Sequence, residues 1–309
     1  MAFCLANPGH GYCTEDTLMD FNDEILFNGD FFIDDDFTFI NCPNLRFGEN
    51  ARFNFVEGVA KLKMINCTLE ASGCSNRMWN GFNMIDFGAA LTLENCKVND
   101  CEIIVDGYVD PGLYFSNNRF DRFYQGIYLT ESAYDQQGWF YGNTFTQSAT
   151  LKYPHSGKKS LYAFKLDNYQ STVIGDSLFG KNTISNLQYG IISINSNFNL
   201  YNTKFENITA WDGNDSTNGS AVLLVNSFGF GDPNNPTHLY PELFFKSGAD
   251  YNAKPNKFEN CTYGIYAINS RVEIKSNVFK NVKTAIELMG LTAKNTYINK
   301  NTISNADVG

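Results

Sequence analysis

The sequence predicts an all-β protein, a single-stranded parallel β-helix in which each turn of chain is one rung of a solenoid. Two observations lead there: a nine-residue pattern that recurs along the chain, and a spacing of 21–25 residues between most of its apolar anchors. A third is compositional. Aromatic residues make up 15%, with 27 Phe against 8 Pro, so a chain of 309 residues has ample apolar material for a long interior.

The pattern is Asn-x-[Phe/Ile]-x-Asn-x-x-x-[Gly/Ala]. It fits "NTISNLQYG" (Asn182 to Gly190), "NKFENCTYG" (Asn256 to Gly264), "NVFKNVKTA" (Asn277 to Ala285) and "NTISNADVG" (Asn301 to Gly309). It also fits "NRFDRFYQG" (Asn118 to Gly126), with Arg122 at the second Asn. The small residue opens "GIYLTES", "GIISINS", "GIYAINS" or "AIELMG", each a short stretch of alternating apolar residues and hence a strand. The anchors Phe120 and Phe145 are 25 residues apart, Ile184 and Phe205 are 21, Phe258 and Phe279 are 21, and Phe279 and Ile303 are 24. The phrases "FINC", "MINC" and "LENC" carry a similar period into the N-terminal half, ending at Cys42, Cys67 and Cys96.

A leucine-rich repeat would need L-x-x-L-x-L spacing and a helical side, and a propeller blade about 40–50 residues. A parallel β-helix meets both constraints. Equivalent residues then stack about 4.8 Å apart, so Phe120, Ile184, Phe258 and Phe279 share one interior column. Asn suits the corners, because it tolerates left-handed backbone angles and its amide can bond to the Asn one rung away. Residues 1–30 are expected to form an end cap, with "DTLMDFNDEIL" as a short amphipathic element, and residues 31–309 the β-helix. Gly309 would open a strand that the sequence does not complete, so the chain reads as truncated at its C-terminal end and as part of a larger polypeptide.

A formal charge of -10 argues against a nucleic-acid partner. No apolar run approaches the length of a membrane-spanning helix, so no membrane insertion is expected. No leader is visible at the N-terminus. Eight Cys occur without a C-x-x-C, so neither a zinc nor a thioredoxin-type site is indicated. The reading is of small buried hydrophobes, with Cys4–Cys13 or Cys74–Cys101 disulfides as the alternative and the connectivity left open.

The tandem "N-x-F-x-N-x-x-x-G-I" units resemble the repeats of the pectate-lyase-like superfamily. "CTLEASGCSNRMWNGFNM" followed by "LTLENCKVNDCEIIV" looks like large secreted bacterial cell-surface proteins. The resemblance runs from about Phe31 to Gly309 and, with the rule for parallel crossovers, implies a right-handed helix. It implies little about activity, since this fold serves lyases, hydrolases, epimerases, adhesins and spacers. The family's catalytic signatures are missing from the rungs: Gly9-His10-Gly11 lies outside them, and no R-x-P-x-x-R occurs.

Insertions mark where such a scaffold acts. "LKYPHSGKK" (Leu151 to Lys159) and "WDGNDSTNGS" (Trp211 to Ser220) leave the coil at the same corner, one uninterrupted rung apart. That corner is expected to gather Tyr153, His155, Lys158, Lys159, Trp211, Asp212 and Asp215. Aromatic faces beside fixed polar groups suit sugar rings, with an ordinary pair of solvated loops as the competing reading. His155 is a general-base candidate, though a surface histidine is the favoured reading. Asp212, Asn214 and Asp215 offer oxygen ligands for calcium, but the loop lacks the Gly and Glu of an EF-hand, and a solvated turn is favoured. The three acids of "FIDDDF" read as exposed. A third insertion, Phe228 to Pro255, reads as a loop with Leu239 to Phe245 over the flank, while Trp79 and Trp139 read as core or flank packing.

The expected function is a non-catalytic extracellular or cell-surface module, secreted, acting as a rigid stalk or binding a polysaccharide or cell-surface glycan. No resident cofactor is expected, calcium being the open case. The alternatives are a polysaccharide lyase or glycoside hydrolase working at the insertion corner, and a self-associating structural module.

Overall fold

The computed structural model describes residues 17–20, 24–56, 60–73, 76–85, 88–108, 111–131, 138–169, 172–175, 180–211, 217–226, 245–247, 254–290 and 296–308. Every described element is a strand or an irregular segment, and all strand pairs are parallel. Three sheets run along one axis. The first has 11 strands, from Thr17–Asp20 to Tyr297–Asn299, the second 11, from Ile25–Phe27 to Thr302–Ser304, and the third 10, from Asp30–Ile33 to Thr284–Met289. The chain visits the sheets in rotation, so each strand pairs with the strand three places on. This is the β-solenoid that the repeat predicts. The strands Thr17–Asp20 and Ile25–Phe27 already belong to the ladders, so the boundary expected near residue 30 falls within the first described rung. Among the described residues no helix is long and apolar enough to cross a membrane.

The expected column is present and longer than the four anchors. In the second sheet, Ile25, Leu45, Leu69, Val98, Phe120, Phe145, Ile184, Phe205, Phe258, Phe279 and Ile303 stand in register. From Leu45 to Phe279 all are buried. Rings on neighbouring rungs stack nearly parallel: Phe120 on Phe145 at 4.6 Å, Phe205 on Phe258 at 5.0 Å, Phe258 on Phe279 at 4.6 Å. Parallel in-register strands impose that geometry, since identical side chains must sit directly over one another. Gly190 and Gly264 stand second in their third-sheet strands, where a Cβ would lie 2.3 and 2.4 Å from the carbonyl oxygens of Ala221 and Ala285 and 2.6 Å from the rings of Phe205 and Phe279.

Corners are made by left-handed residues. Of the 20 described non-glycine residues with positive φ, 15 are Asn. Their amides form exposed ladders, as in Asn186, Asn207, Asn260, Asn281 and Asn305, where each Nδ2 donates to the preceding Oδ1 at 3.0–3.3 Å. A second, buried ladder holds the first Asn of each repeat. Asn143 Nδ2 donates to the Phe115 carbonyl at 2.9 Å while its Oδ1 accepts from the Asn118 backbone N–H at 3.0 Å. Asn256 does the same for the Leu200 carbonyl and the Thr203 N–H. Cys42, Cys67 and Cys96 fill this slot in earlier rungs, and the Cys96 thiol meets the Met64 carbonyl at 3.4 Å where later rungs use an amide. All five described cysteines are free thiols and buried, which includes Cys101 and leaves no disulfide there. Cys4, Cys13 and Cys74 lie outside the described residues.

Trp79 is fully buried and stacks on Phe47 at 4.1 Å, as expected of a core residue. Trp139 is not in the core: it is half exposed on the outer face of the first sheet, in register with the equally exposed Tyr114. Its strand alternates, and Phe140 takes the inward place. The third insertion departs between the third and first sheets. Within it Phe245–Ser247 supplies a first-sheet strand, while Leu239 to Phe244 lie outside the described residues.

Candidate functional site

Both predicted insertions leave between the second and third sheets. The first lies between Thr144–Thr146 and Tyr162–Asp167, the second between Thr203–Glu206 and Ser220–Val225, with the rung of Asn182–Ser185 between them. Their necks touch across that rung. The ammonium of Lys159, which ends the first insertion, donates to the Thr209 carbonyl at 3.1 Å and to Thr209 Oγ1 at 2.7 Å. Gln188 ties the intervening rung to the same place, its backbone N–H donating to the Ser160 carbonyl and its Nε2 to the Lys159 carbonyl.

Beyond its neck the first insertion turns away from that contact. It folds back towards the N-terminal end, and Tyr153 pairs with Arg77, three rungs earlier in the second-sheet order and about 14 Å along the axis. Met78 N–H donates to the Tyr153 carbonyl, Tyr153 N–H donates to that of Asn76, and Arg77 lies over the Tyr153 ring at 4.6 Å while pairing with Glu49. On the way the strap crosses two rungs and engages both. Lys152 meets Asp100 at 3.2 Å, and Asp100 also holds Arg122 at 2.7 Å. His155 stacks on Tyr124 at 3.5 Å, and its Nε2 lies 3.1 Å from Glu102 Oε1.

His155 is therefore not a surface histidine. It is 9% exposed, its imidazole clamped between an aromatic ring and a carboxylate, and among the described residues Nδ1 finds no partner. Lys158 sits over the outer side of Tyr124 at 5.4 Å. Tyr153 is 50% exposed at the strap's far end, and Trp211 is 54% exposed at the mouth of the second insertion. The two aromatics are five rungs apart, about 24 Å. Among the described residues the corner thus does not gather the expected side chains into one cluster: Tyr153, His155 and Lys158 lie along the strap, Lys159 at its neck against Thr209, and Trp211 at the second neck. Asp212, Asn214 and Asp215 lie outside the described residues, and with them the calcium reading. Among the described residues no three His, Cys, Asp or Glu side chains converge as a metal site would need.

Sequence reasoning missed what lies at the neck of the second insertion. An open groove of about 410 Å³ follows the corner from Thr209 to Asp307, lined by Asn260, Cys261, Thr262, Asn281, Lys283 and Asn305. The repeat itself carried the signal, since the second Asn of each unit, as in Asn186, Asn260, Asn281 and Asn305, recurs at one corner. Burial pushes the Cys261 thiol up to about 12, so the floor stays uncharged at neutral pH. Burial lowers Lys159 to about 8. No protein-family model, no curated protein and no solved structure matches this chain. Its chemistry therefore rests on the geometry of this corner. The groove offers a row of amides and hydroxyls, and the rungs under the strap offer the carboxylates of Asp100 and Glu102, which already have partners.

Proposed function

We propose that this chain is a rigid, non-catalytic module of a secreted or cell-surface protein, built on pectate-lyase-like repeats, that holds an extended polysaccharide along the corner between the second and third sheets. The observation that carries the reading is the groove lined by Thr209, Asn260, Thr262 and Asn281, which begins two residues before the exposed Trp211. Indole takes the apolar face of a sugar ring, and the amides of Asn260 and Asn281 with the hydroxyls of Thr209 and Thr262 serve its hydroxyl groups. One polar set recurs on each rung, which suits a ligand longer than one sugar. The acids Asp100, Glu102 and Asp121 are engaged by Arg122 and Lys152, by His155, and by Arg119 and Ser148, which supports binding over hydrolysis.

A glycan array followed by titration tests this. Trp211→Ala should weaken binding by roughly 3- to 10-fold, the worth of one aromatic contact, and Tyr153→Ala should leave it unchanged. An array without signal, or a Trp211→Ala protein that binds as well as the parent, removes the reading and favours a spacer.

One observation favours the enzymatic alternative. Lys159 sits against Thr209 at the groove's edge, and burial lowers its amine to about 8, so a fraction of it is unprotonated and able to take a proton just above neutral pH. A lyase would release unsaturated uronate product from an acidic polysaccharide and lose that activity in Lys159→Met, and adding or chelating calcium would tell whether the oxygen ligands of the second insertion take part.

A further inference from the structure

Five Asn-x-Ser/Thr sequences with a residue other than Pro in the middle occur in the chain, at Asn66, Asn207, Asn214, Asn218 and Asn260. Such a sequence is the acceptor for N-linked oligosaccharide in a secreted protein, but only where the folded chain leaves the amide at the surface. Four of the five fall on the second insertion, its neck or the adjoining rung. The fold sorts them. Asn66, Asn207 and Asn260 are exposed, and all three sit at left-handed corner positions with φ of 55°, 57° and 55°. Asn218 is buried. Asn214 lies outside the described residues.

The ladders leave the amides chemically competent. A carboxamide nitrogen carries two protons. Asn207 Nδ2 gives one to Asn186 Oδ1 at 3.2 Å, Asn260 Nδ2 one to Asn207 Oδ1 at 3.3 Å, and Asn66 Nδ2 one to Asn41 Oδ1 at 2.9 Å. The second proton of each has no acceptor among the described residues. A sugar can replace it while the ladder bond persists. The buried Asn118, Asn143 and Asn256 have no such room and no hydroxyl residue two places on.

We propose that Asn66, Asn207 and Asn260 are N-glycosylation sites, with Asn207 and Asn260 forming a doublet on neighbouring rungs beside the groove. The inference rests on the secreted part of the reading above and not on the groove's taking an outside ligand. The donor is an oligosaccharide carried on a lipid pyrophosphate. A bond forms between Nδ2 and the anomeric carbon, the anomeric C–O bond to phosphate breaks, the lipid pyrophosphate leaves, and one amide proton is released. Asn207 and Asn260 stand one rung apart, about 4.8 Å, so a glycan on either overhangs Thr209, Thr262 and the groove. Asn218 stays bare, because a bulky polar glycan cannot be buried in a folded rung.

The test is to secrete the full chain from a eukaryotic cell, release glycans with peptide-N-glycosidase in heavy-oxygen water and locate the resulting Asp residues by mass spectrometry. Labelled Asp is expected at position 66 and at 207, 260 or both, and none at 218. Thr68→Ala should abolish modification of Asn66, Thr209→Ala that of Asn207 and Thr262→Ala that of Asn260, whereas Thr209→Ser should keep it. These changes leave the Asn ladders intact. Secreted, protease-resistant protein with bare Asn66, Asn207 and Asn260, or with the label at 218, overturns the proposal. Glycan-array binding is measured separately on unmodified protein made in a bacterium, so that a failure there counts only against the groove's ligand.

Discussion

Early and late rungs fill the same inward slot with different chemistry. In the early rungs Cys42, Cys67 and Cys96 hold it, and in the late ones Asn256, Asn277 and Asn301. The thiols reach carbonyls at 3.3–3.5 Å, the distance of a weak sulfur donor, while the amides of Asn256 and Asn301 do so at 2.9 Å and the Asn side chains also link rung to rung. The interiors differ in step. Around the early rungs Phe27, Phe31, Phe47 and Phe53 meet at 61° to 82° in several pairs, with Trp79 stacked beside them. In the late rungs Phe205, Phe258 and Phe279 stand in single file. The early region is held by mixed aromatic packing that tolerates a poor hydrogen-bonding partner, and the late region by a repeated polar clamp beneath a repeated ring. The rung geometry is common to both, so the fold needs a small, satisfied group in that slot and not one residue type.

Breaking the late column should cost most. Phe258→Ala removes a ring stacked on both neighbours and should destabilise by about 3–5 kcal/mol, read from denaturant unfolding. Asn256→Leu keeps the volume but strands the Leu200 carbonyl and the Thr203 N–H, at about 1–3 kcal/mol for each group left unpaired. Cys96→Asn sharpens the contrast: the new amide can reach the Met64 carbonyl, and the change should stay below about 1.5 kcal/mol. If it costs as much as Asn256→Leu, the two regions do not share one slot.

How much of this was legible follows from what repeats. The column from Phe120 to Phe279 could be read because each rung restates its anchor, and the burial of Cys42, Cys67 and Cys96 because their phrases keep the period. The departure corner of the two insertions followed from counting residues out of frame. The course of the first insertion did not, because nothing in "LKYPHSGKK" repeats. Its direction depends on single contacts to Arg77, Asp100 and Tyr124, residues distant in sequence and unmarked by spacing. His155 was misjudged for the same reason, since its burial is decided by a ring and a carboxylate from other rungs.

Smaller effects test the corner. The folded chain holds Lys159 at about 8 because burial disfavours its charge, whereas an unfolded lysine titrates near 10.5. Between these values the unfolded chain binds the proton that the folded chain has lost, so stability should rise as pH goes from 8 to 10.5 and stay at its lower level below 8. Lys159→Met should lack that rise in thermal melts across the window. At the exposed ladder, Asn281→Ala should lose about 1–2 kcal/mol through its left-handed backbone, and Asn281→Gly less, because glycine adopts that conformation freely.

The strap has a consequence for how the molecule comes apart. A stack in which each rung touches only the next unfolds by fraying, since its stability is a sum of nearest-neighbour terms. Leu151 to Lys159 couples rungs that are not neighbours, from Arg77 through Asp100 and Tyr124 to Thr209. Those rungs can open only together, so the segment from Arg77 to Thr209 behaves as one cooperative block, and the turns that follow peel away singly, giving hydrogen-exchange protection that steps down after Thr209 instead of declining smoothly.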